Sequence, residues 1–255
     1  MRGLIAAEWL KLRTVRATVW SLAGTVVVAT GFGAMLGSGF RDHEDQDFAP
    51  LVAGSLGLTL AQLCLVVFAA QAIGGEYASG TIRASLLAVP RRDAFYAAKI
   101  IAATLPVAAV AAVAVAGSFL AAQATLGDQG MTPWSDGAPR ALFGGWLYLV
   151  LMALFALGVT GVVRRPAAAL GVMLPLLLLG SQGLANVPGV GTVLQFLPDQ
   201  AGGLLLGMAG PPDDPTFDRA YGPWTGMAIT ACWSATALAA GWWTLRGGLR
   251  PARRR

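Results

Sequence analysis

Residues Ile100 to Gly127 read IIAATLPVAAVAAVAVAGSFLAAQATLG, with no Asp, Glu, Lys, Arg or His among them. A membrane-crossing helix needs about 20 consecutive apolar residues, so this stretch is long enough to span a bilayer. Five further charge-free runs lie to either side: Ala17 to Phe40, Phe48 to Gly75, Ala141 to Val163, Pro166 to Val187 and Trp224 to Leu245. The pattern predicts an all-α, polytopic membrane protein, with six transmembrane helices forming a single domain over 1–255. A seventh run, Ala201 to Gly210, is too short to cross. It is expected to form a re-entrant or interfacial segment within the connection 188–223. The basic segment 1–16 precedes a first run that is too long for a signal peptide's apolar region, so that run is expected to be kept as a span.

Composition leads to the same class. Of the 255 residues only 12% are charged, about half the share in soluble domains, and 56% are hydrophobic before 33 glycines are counted. Too little polar side chain is available to cover a soluble core of this size. The net charge of +5 does not mark a nucleic-acid surface, because its sign follows position along the chain. With six spans, fifteen basic residues and only Glu8, Glu76 and Asp93 fall on the side that holds both termini. The opposite side holds Arg41, Arg140 and Arg219 with ten acids, among them Asp42, Asp128, Asp199 and Asp213. That asymmetry is the positive-inside signature, and it predicts cytoplasmic termini in a plasma-membrane protein. Trp224 and the Trp242-Trp243 pair bracket the last run at about one hydrocarbon thickness, and the basic tail 246–255 reads as a headgroup anchor.

Several chemistries lack their residues. Cys64 and Cys232 both lie in apolar runs and His43 is the sole histidine, so no disulfide framework, metal site or catalytic triad can be drawn. Ser55, between Gly54 and Gly57, reads as packing. The only lysines, Lys11 and Lys99, fit no phosphate-binding loop, so no ATP site is expected on this chain. The runs also lack the midplane ionisable residue typical of ion-coupled transport, which disfavours a secondary transporter. Gly33-xxx-Gly37 and Gly203-xxx-Gly207 permit close helix approach, within the chain or between copies. Gln62, Gln71, Gln123, Gln182 and Asn186 are the candidate pathway-lining polar residues, although amides in lipid more often bond to a neighbouring helix.

The connection 76–99, between the second and third runs, carries more pattern than a linker needs. Gly80 permits a break, Thr81 is placed to cap a helix, Ile82, Leu86 and Val89 recur at helical spacing, and Pro90 stops the run. About two turns of amphipathic helix are predicted, pinned at both ends to membrane helices. Such a helix can seat in a partner's groove or lie among lipid headgroups.

Glu76-Tyr77-x-x-Gly80-Thr81-Ile82-Arg83-x-x-Leu86-Leu87-x-x-Pro90-Arg91-Arg92 resembles the loop of ATP-binding-cassette permeases of the type-2 exporter family. The opening Glu8-Trp9-Leu10-Lys11-Leu12-Arg13-Thr14-Val15-Arg16 is similar to the N-terminal segment of actinobacterial members, and Leu197-Pro198-Asp199-Gln200-Ala201-Gly202 to the stretch before their extracellular re-entrant helices. The resemblance implies a non-enzymatic transmembrane subunit. It would pair with a second copy or a paralogue and with cytosolic ATPase subunits that carry the ATP and Mg. The helix from Thr81 to Val89 would be the coupling helix. Glu76, Gly80, Thr81, Ile82, Arg83, Leu86, Val89, Arg91 and Arg92 would be its coupling residues, with the arginines as polar contacts. The segment 1–16 would be an interfacial helix, with Ile5, Trp9 and Leu12 sharing a face with Arg16. A membrane scaffold without a transport path is the other reading, since it shares the composition and topology.

Overall fold

The computed structural model describes residues 1–41, 50–181, 191–206 and 219–247. These form ten α-helices: α1 Arg2–Thr14, α2 Arg16–Arg41, α3 Pro50–Ser79, α4 Ile82–Ala88, α5 Arg92–Leu126, α6 Ala138–Val163, α7 Pro166–Ser181, α8 Gly191–Leu194, α9 Pro198–Gly203 and α10 Pro223–Gly247. Short 3-10 turns follow α5 and α9, and there is no strand among the described residues. The all-α expectation is met.

Four helices, α2, α3, α5 and α6, are long and apolar enough to cross a membrane. The described part of α7 is shorter, and α10, although 25 residues long, falls below that apolarity. Each coincides with one of the charge-free runs. The third run is only part of its helix, because α5 begins at Arg92, about two turns before Ile100. Lys99 therefore lies inside a continuous helix and not in a loop.

The layering follows from burial. More than half of the apolar stretch is buried in α3 and α6, against a third or less in α2 and α5, so α3 and α6 form the interior. Phe68 and Leu65 of α3 and Tyr148, Met152 and Leu157 of α6 are fully buried there. α2 packs on α3 and α5, and α10 on α6.

Small residues set these distances. A Cβ on Gly33 would lie 2.6 Å from Ser118 O of α5, and one on Gly57 2.7 Å from Ala29 O of α2. Gly37 meets Ala122 in the same way. The Gly33-xxx-Gly37 pair thus serves a contact within the chain. With no membrane hydrophobic effect between helices, such close backbone approach gains dispersion contacts that larger side chains would prevent.

At the end of the bundle away from α4, α9 and the turn Leu204–Leu206 pack on α10 and α6. Thr230 donates to Pro198 O at 2.9 Å and Ser55 to Leu206 O at 2.6 Å. Ser55 is a packing residue, as its glycine neighbours suggest. The last four residues of the expected re-entrant run, 207–210, and Gly207 with them, lie outside the described residues, as do Gln182, Asn186 and the tail from 248 onward.

Candidate functional site

The connection between α3 and α5 folds as a short helix between two sharp breaks. α3 ends at Ser79, and Gly80 takes φ +73°, a left-handed conformation that costs glycine least. α4 runs from Ile82 to Ala88, close to the expected Thr81 to Val89. Val89 is extended, as the residue before a proline must be, and its N–H still closes on Ser85 O. One expectation fails. Thr81 precedes α4 but has helical φ and ψ and makes no capping bond; its hydroxyl pairs with Ser79 Oγ at 2.8 Å.

The two faces of α4 separate cleanly. Ile82, Ser85, Leu86 and Val89 are half-buried against the chain itself, while Arg83, Ala84, Leu87 and Ala88 face outward, with Leu87 84% exposed. The stripe that the helical spacing marks as apolar therefore turns toward the chain, without any of its residues being fully buried.

Behind that inner face lies a cluster of four charges. Lys99 Nζ of α5 is 2.6 Å from Glu8 Oε2 of α1 and 3.0 Å from Glu76 Oε1 of α3. Lys11 Nζ of α1 is 2.7 Å from Glu8 Oε1 and 2.8 Å from Glu76 Oε1. Lys11 also reaches Ser85 Oγ of α4 at 3.4 Å. The side chains of Glu8, Lys99 and Glu76 are buried or nearly so, whereas that of Lys11 is almost half exposed. Glu76 Oε2 is buried without a hydrogen-bond partner among the described residues. Both lysines of the chain and two of its three glutamates meet here.

The cluster is electrically neutral, and each lysine bridges both carboxylates. Burial alone would push the Glu8 carboxyl up, but Lys99 and Lys11 outweigh it and hold Glu8 below its usual range. Burial opposes the charge on Lys11 too, yet its bonds to Glu76 and Glu8 raise it above the ordinary lysine value. The geometry joins α1, α3, α4 and α5 through side chains alone. Of these four charges only Glu76 is among the expected coupling residues. The i, i+3 spacing of Glu8 and Lys11 is the one local signal of the others.

Val15 is extended and separates α1 from α2. Arg16 therefore belongs to the next helix, and the mixed face expected of the N-terminal segment does not form.

The remaining expected residues have clear positions. Arg91 is exposed at the N-cap of α5, and Arg92 Nη1 donates to Arg246 O at 2.8 Å. Asp93 pairs with Arg246 and accepts from Trp242 Nε1 at 2.9 Å, tying α5 to α10 at the exposed surface. Gln62 is fully buried and its Oε1 accepts from Tyr148 OH at 2.7 Å. Gln123 bonds to Pro50 O at 3.0 Å and accepts from Met131 N at 2.7 Å. Gln71 is half-buried in α3. No group of His, Cys, Asp and Glu able to hold a metal occurs among the described residues.

Apolar helices of membrane length packed by glycine contacts, with the charges gathered at helix ends, define a multi-pass integral membrane protein. More particularly, the chain belongs to the ABC-2 family of transporter proteins, whose family model matches residues 4–180. That match takes in α1 to α6, the α4 connection and most of α7. No curated protein matches the chain.

Proposed function

We propose that this chain is the permease subunit of an ATP-driven exporter in the plasma membrane. It crosses the bilayer six times with both termini cytoplasmic. It pairs with a second copy or a paralogue and binds separate cytosolic ATPase subunits through α4. Membership of the ABC-2 transporter family supports this reading. So does the charge asymmetry, which favours a cytoplasmic position for α4.

The observation that carries the coupling role is the two-sided construction of α4. Its inner face and the hydroxyl of Ser85 hold it to the bundle, and Leu87, flanked by Ala84 and Ala88, is left for a partner. Arg83 and Arg91, both exposed, supply polar contacts at the edges of that surface. Closure of the ATPase subunits on ATP moves α4. Gly80 and Pro90 confine bending to its two ends, and the Glu8–Lys11–Glu76–Lys99 cluster carries the displacement to α1, α3 and α5 together. Two permeases moved this way switch their shared pathway from inward to outward access. This chain contributes mechanics and a path, while the ATPase subunits hold ATP and Mg and perform hydrolysis.

Gentle detergent purification of the tagged protein from its own membranes tests the reading. An ATPase subunit should co-elute in near-equal amounts, and Leu87→Asp should abolish co-elution at unchanged permease yield and thermal stability. A preparation that stays free of ATPase after crosslinking returns the scaffold reading.

A further inference from the structure

Beside α4, where it follows α3, is a groove of about 350 Å³, within the usual size of small-ligand sites. It is lined by Ile82, Arg83 and Leu86 of α4, Tyr77 of α3, Leu245 of α10 and Arg164, which follows α6. No acidic residue lines it among the described residues. Neither arginine has an ion pair among the described residues.

Arg164 is held in place by an unusual backbone. It is the only non-glycine residue with positive φ among the described residues, at 58°, and its N–H closes on Thr160 O at the end of α6. The side chain then folds back. Its Nη2 donates to Thr244 O, its guanidinium lies 5.8 Å from the Tyr77 ring centroid, and its Nε is buried with no partner among the described residues. Five donors on one planar group thus meet a single protein acceptor among the described residues, and the remaining capacity suits a phosphate oxygen.

Depth selects the source of that phosphate. Tyr77, Arg164 and Leu245 sit in or directly after the last turns of α3, α6 and α10, the level at which long membrane helices meet the headgroups. We infer that the groove binds an anionic phospholipid, with its phosphate between Arg83 and Arg164 and its glycerol and first acyl carbons against Ile82, Leu86 and Leu245. An anionic lipid seated there contacts α3, α4, α6 and α10 at once. This reading holds with or without the ATPase interaction.

The test is retention of lipid by the intact, detergent-purified protein taken from vesicles of mixed phosphatidylglycerol and phosphatidylcholine, counted by native mass spectrometry. Phosphatidylglycerol should be enriched on the unmodified chain. Arg83→Gln and Arg164→Gln should each lower the enrichment about fivefold, and Arg164→Lys should keep part of it. Arg13→Gln, on the exposed side of α1, should leave it unchanged. If Arg164→Gln disturbs folding, the exposed Arg83 variant decides. Lack of enrichment on the unmodified chain, an equal loss with Arg13→Gln, or full displacement by inorganic phosphate would each overturn the proposal.

Discussion

Lys99 and Glu8 are 91 residues apart in the chain, and their side chains meet at 2.6 Å with both almost fully buried. A buried pair of this kind stabilises little compared with an apolar substitute, but removing Lys99 leaves two buried carboxylates, Glu8 and Glu76, sharing the half-exposed Lys11 alone. Lys99→Met should therefore lower stability by about 3–5 kcal/mol. The double variant Glu8→Gln with Lys99→Met keeps the Lys11 and Glu76 pair and should melt closer to the unmodified protein than Lys99→Met alone. Thermal melts of the four proteins in one detergent form the double-mutant cycle that checks this.

The same cluster sets a pH window. Glu8 titrates below its ordinary value of 4.5 in the folded chain, so its contribution is complete above that value and is lost as pH falls through the lower folded one. Lys11 titrates above its ordinary 10.5, so its contribution is complete below that value and is lost as pH rises through the higher folded one. Melting temperature should be flat between the two limits and fall outside them. Glu8→Gln should flatten the acid limb; an acid limb unchanged in that variant would assign it to other carboxylates.

The helix runs were legible in the sequence because a bilayer requires them: about 20 uncharged residues have no other ready explanation. The α4 connection was legible too, from Gly80, Pro90 and the 82, 86, 89 spacing. The cluster behind it was not. Its members lie on three helices separated by up to 91 residues, and Lys99 reads in sequence as the boundary of a span. Helix periodicity marks which residues share a face but not which helix that face will meet. Hence Ile82, Leu86 and Val89 were recognised as a stripe, while its turn toward the chain and the resulting exposure of Leu87 come only from packing. The break at Val15, with no glycine or proline to announce it, was equally silent.

Close packing of α2 makes a contrasting pair of glycines. Gly33→Ala places a methyl 2.6 Å from a backbone carbonyl of α5, and should cost about 1–3 kcal/mol as the helices separate. Gly171→Ala in α7 meets nothing within 4 Å and should be neutral or slightly stabilising. Melting temperatures of the two variants against the parent distinguish them.

Gln62 separates packing from transport. Its carbonyl oxygen answers the buried Tyr148 hydroxyl, and Gln62→Leu leaves that hydroxyl unsatisfied at a cost of about 1–3 kcal/mol. Tyr148→Phe combined with Gln62→Leu removes both polar groups and should regain part of the loss. A Gln62→Leu protein with unchanged melting temperature and altered export would place the amide on the pathway instead.

The charge cluster also imposes an order on biogenesis. Glu8 emerges from the ribosome early with Lys11 beside it, and Glu76 follows at the end of α3, but the second cation arrives only with α5. Until Lys99 is synthesised and inserted, the cluster holds two carboxylates against a single ammonium. While the first two membrane helices are threading, α1 is therefore held to α3 only through the half-exposed Lys11 and Glu76. A ribosome-bound chain truncated before Lys99 should expose α1 to protease, and one extended through α5 should protect it.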